Sequence, residues 1–252
     1  MPHPAIALPR LIAHRGLSAH APENTLAAVR ATREAGCAWV ELDVQLLGDG
    51  TPVIWHDATV KRCSDGRARL ADLDLPAARR LDVGSWFADR FRGERMATLR
   101  EMLGLIEALG LGLNLELKVN RGRSAAALVE GVLPTLLDAL PAERVIVSSF
   151  NADALARARE LAPADRLALG VLFEGITRDW RERCEAVAAF SVHADWKRLS
   201  RRSALAVHEA GYPLLCYTAN DPAAFAHQWA WGVASVISDD PARFAGHLPT
   251  AS

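Results

Sequence analysis

The sequence predicts a (β/α)8 TIM barrel with a small insertion after the second strand. Three observations carry that prediction. Short runs rich in Leu, Val and Ile recur from end to end, and Ala/Leu/Arg-rich stretches of helical spacing lie between them. Strands alternating with helices make βα units around a parallel sheet. The chain has 252 residues, a size at which such barrels are routinely one unit, so 1–252 is read as a single barrel domain.

In chain order, the strands fall near Leu11–His14, Ala38–Val44, Gly112–Lys118 and Arg144–Ser149. Four more follow near Arg166–Phe173, Ala189–Ala194, Pro213–Thr218 and Ala234–Ser238. Helical patterns cover Thr25–Ala35, Leu99–Leu109, Ala125–Leu140, Ala152–Leu161, Asp179–Ala186, Ser200–Ala210, Pro222–Trp231 and Pro241–His247. Eight such units favour a closed sheet over an open one. One interval breaks the rhythm. The stretch between Val44 and Leu99 far exceeds the usual βα loop of about 2–6 residues. It opens with the strand-like Pro52–His56, and residues from about 58 to 97 are expected to stand over the C-terminal mouth of the barrel.

Composition narrows the function classes. Half the residues are hydrophobic and 23% are charged, as in ordinary globular proteins. A net charge of -1 argues against a nucleic-acid surface. The cysteines at 37, 63, 184 and 216 form no CxxC or Cys/His pattern and are expected to be reduced thiols. The N-terminus has no basic segment followed by a long apolar one, and no apolar run approaches the roughly 20 residues of a membrane span. A cytoplasmic protein without stable membrane insertion is expected. The oligomeric state stays open.

Charge sits where apolar strands should end. The segments are L-I-A-H-R-G (Leu11 to Gly16), W-V-E-L-D-V (Trp39 to Val44), P-V-I-W-H-D (Pro52 to Asp57) and L-N-L-E-L-K (Leu113 to Lys118). Strand side chains alternate faces, so Glu41 and Asp43 share one face, as do Glu116 and Lys118. Unpaired charges buried in such runs would be costly. Three carboxylates, two histidines, an arginine and a lysine on successive strand ends therefore read as a metal-assisted site for an anion.

The ordered set resembles the glycerophosphodiester phosphodiesterase family. The resemblance runs through H-R-G (His14 to Gly16), P-E-N-T (Pro22 to Thr25), E-L-D (Glu41 to Asp43), H-D (His56, Asp57), V-K-R (Val60 to Arg62) and L-D-V-G-S-W-F (Leu81 to Phe87). It continues through E-L-K (Glu116 to Lys118), S-S-F (Ser148 to Phe150), Y-T-A-N (Tyr217 to Asn220) and S-D-D-P (Ser238 to Pro241). Tyr217 stands where that family more often has tryptophan, and Ala97 where proline is usual.

The resemblance implies a metal-dependent phosphodiesterase that releases sn-glycerol 3-phosphate and an alcohol from a small glycerophosphodiester. Glu41, Asp43 and Glu116 would be the metal ligands, and their hard oxygens suit Mg2+ or Ca2+. His14 and His56 would be the general acid and base, in an order the sequence leaves open. Asp57 would orient an imidazole or cap a loop. Arg15 and Lys118 would hold phosphate oxygens, or balance the acidic cluster. Phe150 and Tyr217 would wall the alcohol moiety, or belong to the core. Asn24 is expected to cap the first helix, and His193 is kept as a minor candidate at a strand end. The attacking group would be water or the glycerol 2-hydroxyl. The alternatives are a lysophospholipase D-like enzyme acting on acylated substrates and a non-catalytic binder of glycerophospho-compounds.

Overall fold

The structure is a computed structural model and describes residues 2–249. Its strands are β1 (Leu11–His14), β2 (Trp39–Leu46), β3 (Pro52–Ile54), β4 (Gly112–Leu117), β5 (Val145–Ser149), β6 (Ala168–Phe173), β7 (Ser191–Asp195), β8 (Leu214–Tyr217) and β9 (Val233–Ser238). The helices are α1 (Leu26–Glu34), α2 (Leu75–Ala78), α3 (Leu99–Leu109), α4 (Ala125–Ala139), α5 (Ala152–Leu161), α6 (Trp180–Ala186), α7 (Arg201–Glu209) and α8 (Pro222–Trp229). Eight strands pair in parallel in the order β1-β9-β8-β7-β6-β5-β4-β2, and β1 pairs again with β2, so the sheet closes. This is the (β/α)8 barrel that the alternation predicts.

Pleat and closure set up two cores. Outward residues such as Leu113, Leu115 and Leu117 of β4 pack against Val129, Val132 and Leu136 of α4 in one cluster. Inward Ile12, Trp39, Ile146, Ala168, Leu215 and Ile237 form a separate plug inside the barrel. A barrel of this size is filled by side chains, so inward polar residues above the plug must form a site or find partners.

Helix ends follow local chemistry. α3 starts at Thr98, whose side chain and that of Glu101 make a reciprocal capping box. One expected element is shorter than the sequence suggests: Pro241–His247 yields only a 3-10 turn over Pro241–Phe244. Ala245 already leaves the helical region at φ -57, ψ 127, and Gly246 follows at φ +80.

The insertion begins as a hairpin. β3 runs antiparallel to β2, with Val44 opposite Ile54 and Leu46 opposite Pro52. The following segment carries its own apolar cluster, including Val60, Cys63, Leu70, Val83 and Met96, packed on Leu47, Val53 and Trp55. All four cysteines are buried and free. Among the described residues no helix is long and apolar enough to cross a membrane.

Candidate active site

Register brings the charged strand ends together. In the parallel pairs His14 lies opposite Glu41, and Asp43 lies opposite Glu116. One carboxylate oxygen from each of Glu41, Asp43 and Glu116 lies within 4.8 Å of the others, and all three residues are buried. Burial first, then Asp43 and Glu116, pushes the Glu41 carboxyl well above its usual range. Burial and Asp43 likewise raise Glu116 to about 7. Asp43 behaves in the opposite way: burial would raise it, but Lys118 and Arg15 hold it down at about 2. Its position between two cations explains the difference, with Lys118 Nζ at 3.4 Å and Arg15 Nε at 3.2 Å.

The turn after β1 shapes one edge. Arg15 takes φ +54 and Gly16 φ +82, and a Cβ on Gly16 would meet the Ala28 Cβ at 2.5 Å. That tight reversal turns the Arg15 amide toward Glu41 Oε2, to which it donates at 3.1 Å. The Arg15 guanidinium donates to Glu23 Oε1 at 2.8 Å, and Lys118 pairs with Glu116 at 2.8 Å. Both cations therefore sit against the acidic residues. Contrary to the expectation from sequence, Asn24 does not cap α1; Thr25 does, accepting from the Ala28 amide. At φ +58, Asn24 instead donates from Nδ2 to Asp43 Oδ2 at 2.9 Å and accepts from the Asp43 amide at 3.1 Å.

Each of the two histidines has an aspartate on Nδ1. His14 meets Asp239 Oδ1 at 2.6 Å, and His56 meets Asp57 Oδ1 at 2.7 Å. Burial opposes ionisation of Asp239, yet its bonds to His14, Asn220 and Ser18 hold it near 2. A carboxylate only accepts, so each Nδ1 carries a proton, and in the neutral ring Nε2 keeps the lone pair. His14 Nε2 lies 3.8 Å from Glu41. The His56 pKa is lowered by burial, with Arg15 and Lys118 adding to the effect against Asp43 and Asp57. Asp57 is held in turn by Arg62 Nε at 2.7 Å, and Arg62 also donates to Glu23 Oε2 at 2.6 Å. Gln45 Nε2 fixes the same loop by donating to the carbonyls of Trp55, His56 and Asp57.

These residues surround a cavity of about 380 Å3 lined by His14, Arg15, Glu41, His56, Glu116, Lys118, Phe150 and Tyr217, among others. Phe150 is 41% exposed and meets Tyr217 edge-to-face at 6.1 Å. The Tyr217 hydroxyl donates to the Phe173 carbonyl at 2.8 Å. His193 is elsewhere: it is fully buried over Gly170, beside Ser191 Oγ at 2.9 Å, and burial lowers it to about 3. It has no place in the cavity lining. Sequence reasoning assigned no role to Asp239, Glu23, Asn114, Ser148, Glu174, Asp195 or Arg198, of which all but Asp239 and Glu23 line the cavity. Asp239 and Ser148 lay within motifs already singled out, and Asn114 stands two residues before Glu116 on the same strand face.

Comparisons with known proteins give the family and the fold. The sequence model of the glycerophosphoryl diester phosphodiesterase family matches residues 14–243. A glycerophosphodiester phosphodiesterase of Caldanaerobacter subterraneus subsp. tengcongensis is 34% identical over 92% of this chain and 94% of its own. Another from Bacillus subtilis is 25% identical over 92% of this chain and 84% of its own. The Oleispira antarctica phosphodiesterase solved with the product sn-glycerol-3-phosphate superposes with a TM-score of 0.91, at 35% identity, over 95% of this chain and 96% of that one. With the family match spanning the barrel from His14 onward, the chain belongs to the glycerophosphoryl diester phosphodiesterase family of enzymes.

Proposed function

We propose that this protein hydrolyses glycerophosphodiesters to sn-glycerol 3-phosphate and a free alcohol, with a divalent cation. The observation that carries the reading is the buried carboxylate trio flanked by two aspartate-backed histidines in one open cavity. The Oleispira antarctica neighbour, solved with that product, supports the same substrate class.

The trio fits Mg2+ or Ca2+. All its donors are hard oxygens, and the raised Glu41 and Glu116 carboxyls have the repulsion that a cation would relieve. Bound there, the cation supplies charge neutralisation and polarisation of a phosphoryl oxygen. The remaining work belongs to side chains. One histidine Nε2 removes the proton from the attacking oxygen, water or the glycerol 2-hydroxyl. The other, protonated so that its Nε2 also carries hydrogen, delivers that proton to the alcohol oxygen as its bond to phosphorus breaks; where the glycerol 2-hydroxyl attacks, the cyclic phosphate formed is then opened by water to sn-glycerol 3-phosphate. Asp239 and Asp57 hold the Nδ1 hydrogen of both imidazoles, so that Nε2 meets the reacting atoms as a lone pair in the base and as N–H in the protonated acid. Arg15 and Lys118 hold phosphate oxygens, the first as a fork and the second as a point charge. Phe150 and Tyr217 wall the alcohol. Residues 58–97 stand over the C-terminal mouth, reaching the His56 edge through Arg62.

The test is incubation with glycerophosphocholine and, separately, lysophosphatidylcholine, with and without chelator, while released choline and sn-glycerol 3-phosphate are both quantified. Product should form from the first substrate, stop on chelation and return with Mg2+ or Ca2+. Glu41→Ala and Glu116→Ala should lose cation binding by calorimetry and keep the folded spectrum. Full turnover by exhaustively metal-stripped enzyme would remove the cation from the reading. Turnover of the acylated lipid alone would transfer it to a lysophospholipase D-like activity.

A further inference from the structure

The polar side of the cavity contains two groups that the chemistry above does not use. Asn114 and Ser148 line it at 1% and 0% exposure, and Asn114 Oδ1 and Ser148 Oγ have no hydrogen-bond partner. Their positions follow from register: Asn114 lies opposite Glu41, and Ser148 opposite Glu116. In a parallel pair, opposed side chains share a face, so both point inward with the carboxylates, above the apolar plug that contains Ile146 and Ile237. Leu172 and Ile237 line the cavity beside them. Buried acceptors without partners are costly and rare, and two in one cavity wall mark where a ligand's polar atoms belong.

We infer that Asn114 and Ser148 form a hydroxyl-reading floor that selects the glycerol half of the substrate; this rests on the phosphodiesterase reading. A glycerol ester brings free hydroxyls, which need acceptors. Other cavity groups are committed: Arg15 and Lys118 have only donors, each histidine spends Nδ1 on an aspartate, Glu41 and Glu116 would hold the cation, and Glu174 and Asp195 pair with Arg198. Asn114 Oδ1 and Ser148 Oγ are the buried atoms of this wall without a partner, and Leu172 and Ile237 suit the carbon skeleton. A site built to bond a hydroxyl rejects an analogue without it, because its own buried groups stay unpaired.

The experiment compares kcat/KM for glycerophosphoethanolamine with that for two analogues in which propane-1,3-diol or propane-1,2-diol replaces glycerol. The wild type should prefer the glycerol ester about tenfold or more over at least one analogue. Asn114→Leu and Ser148→Ala should lose more on the glycerol ester than on that analogue, bringing the preference within about threefold. Equal rates in the wild type, or parallel losses in both variants, would overturn the inference and leave the two side chains structural. If Asn114→Leu fails to fold, Ser148→Ala, which removes one oxygen, carries the comparison. Calorimetric binding of sn-glycerol 3-phosphate against 3-hydroxypropyl phosphate gives a readout independent of turnover, and equal affinities there together with equal rates would end the proposal. A wild type that turns over none of the esters yet binds glycerol 3-phosphate preferentially would refute the phosphodiesterase reading and keep the floor.

Discussion

The two histidines of the site have nearly the same contact and very different support. His14 meets Asp239 at 2.6 Å and His56 meets Asp57 at 2.7 Å. Asp239 follows the last barrel strand; Ser18 and Asn220 donate to its carboxylate and its own amide donates to Asn220 Oδ1, so His14 is positioned by closure of the barrel itself. Asp57 is the next residue after His56 and is tied by Arg62, whose side chain is 45% exposed and belongs to the insertion. One edge of the site is built into the fold; the other depends on a surface network. Equal geometry does not mean equal robustness.

Removing each imidazole is the largest test of that symmetry. His14→Ala and His56→Ala should each lose roughly 10²–10⁴-fold in kcat, the worth of a positioned acid or base. A substrate with a p-nitrophenol leaving group should rescue only the variant that has lost the general acid. Near wild-type kcat in both variants would end the acid/base assignment.

The aspartates come next, and here the edges should part. Asp239→Asn should lower kcat about 10- to 100-fold, the usual worth of an outer partner that orients a working imidazole. Asp57→Asn should cost less, because Gln45 still fixes the backbone around His56. A greater loss from Asp57→Asn would reverse the comparison. Arg62→Ala should cost less again, roughly two- to fivefold, since exposed ion pairs contribute little. Its effect should shrink further at high salt, where the wild-type network is screened. An Arg62→Ala loss independent of ionic strength would mean that the residue acts on substrate rather than through Asp57.

The same contrast explains what was legible in the sequence. Alternation along L-N-L-E-L-K and W-V-E-L-D-V was enough to put Glu41, Asp43 and Glu116 on inward faces, because a strand's period is fixed locally. The barrel was legible for the same reason: each βα unit announces itself. Asp239 was not, because it lies 225 positions from His14 and meets it only when β9 closes against β1. Asn24 looked like a helix cap because asparagine favours that position; its left-handed backbone, set by the reversal around Gly16, turns it to Asp43 instead. The terminal helix stops short because Ala245 turns extended and Gly246 takes a positive φ, backbone changes that side-chain periodicity does not register.

His193 offers the smallest effect on activity and a clean contrast to both catalytic candidates. It has no carboxylate partner, only Ser191 Oγ at 2.9 Å, and burial holds its pKa at about 3. Between the unfolded value near 6.5 and that depressed value, the unfolded chain binds a proton that the native state refuses. Unfolding free energy therefore falls as pH drops below about 6.5, by up to about 1.4 kcal/mol per pH unit from this residue, and the loss stops below the folded pKa. Urea titrations from pH 7 to pH 4 should show that slope in the wild type and a shallower one in His193→Gln, with kcat at neutral pH unaltered. If His193→Gln kept the full acid slope, the buried neutral imidazole would not be its source.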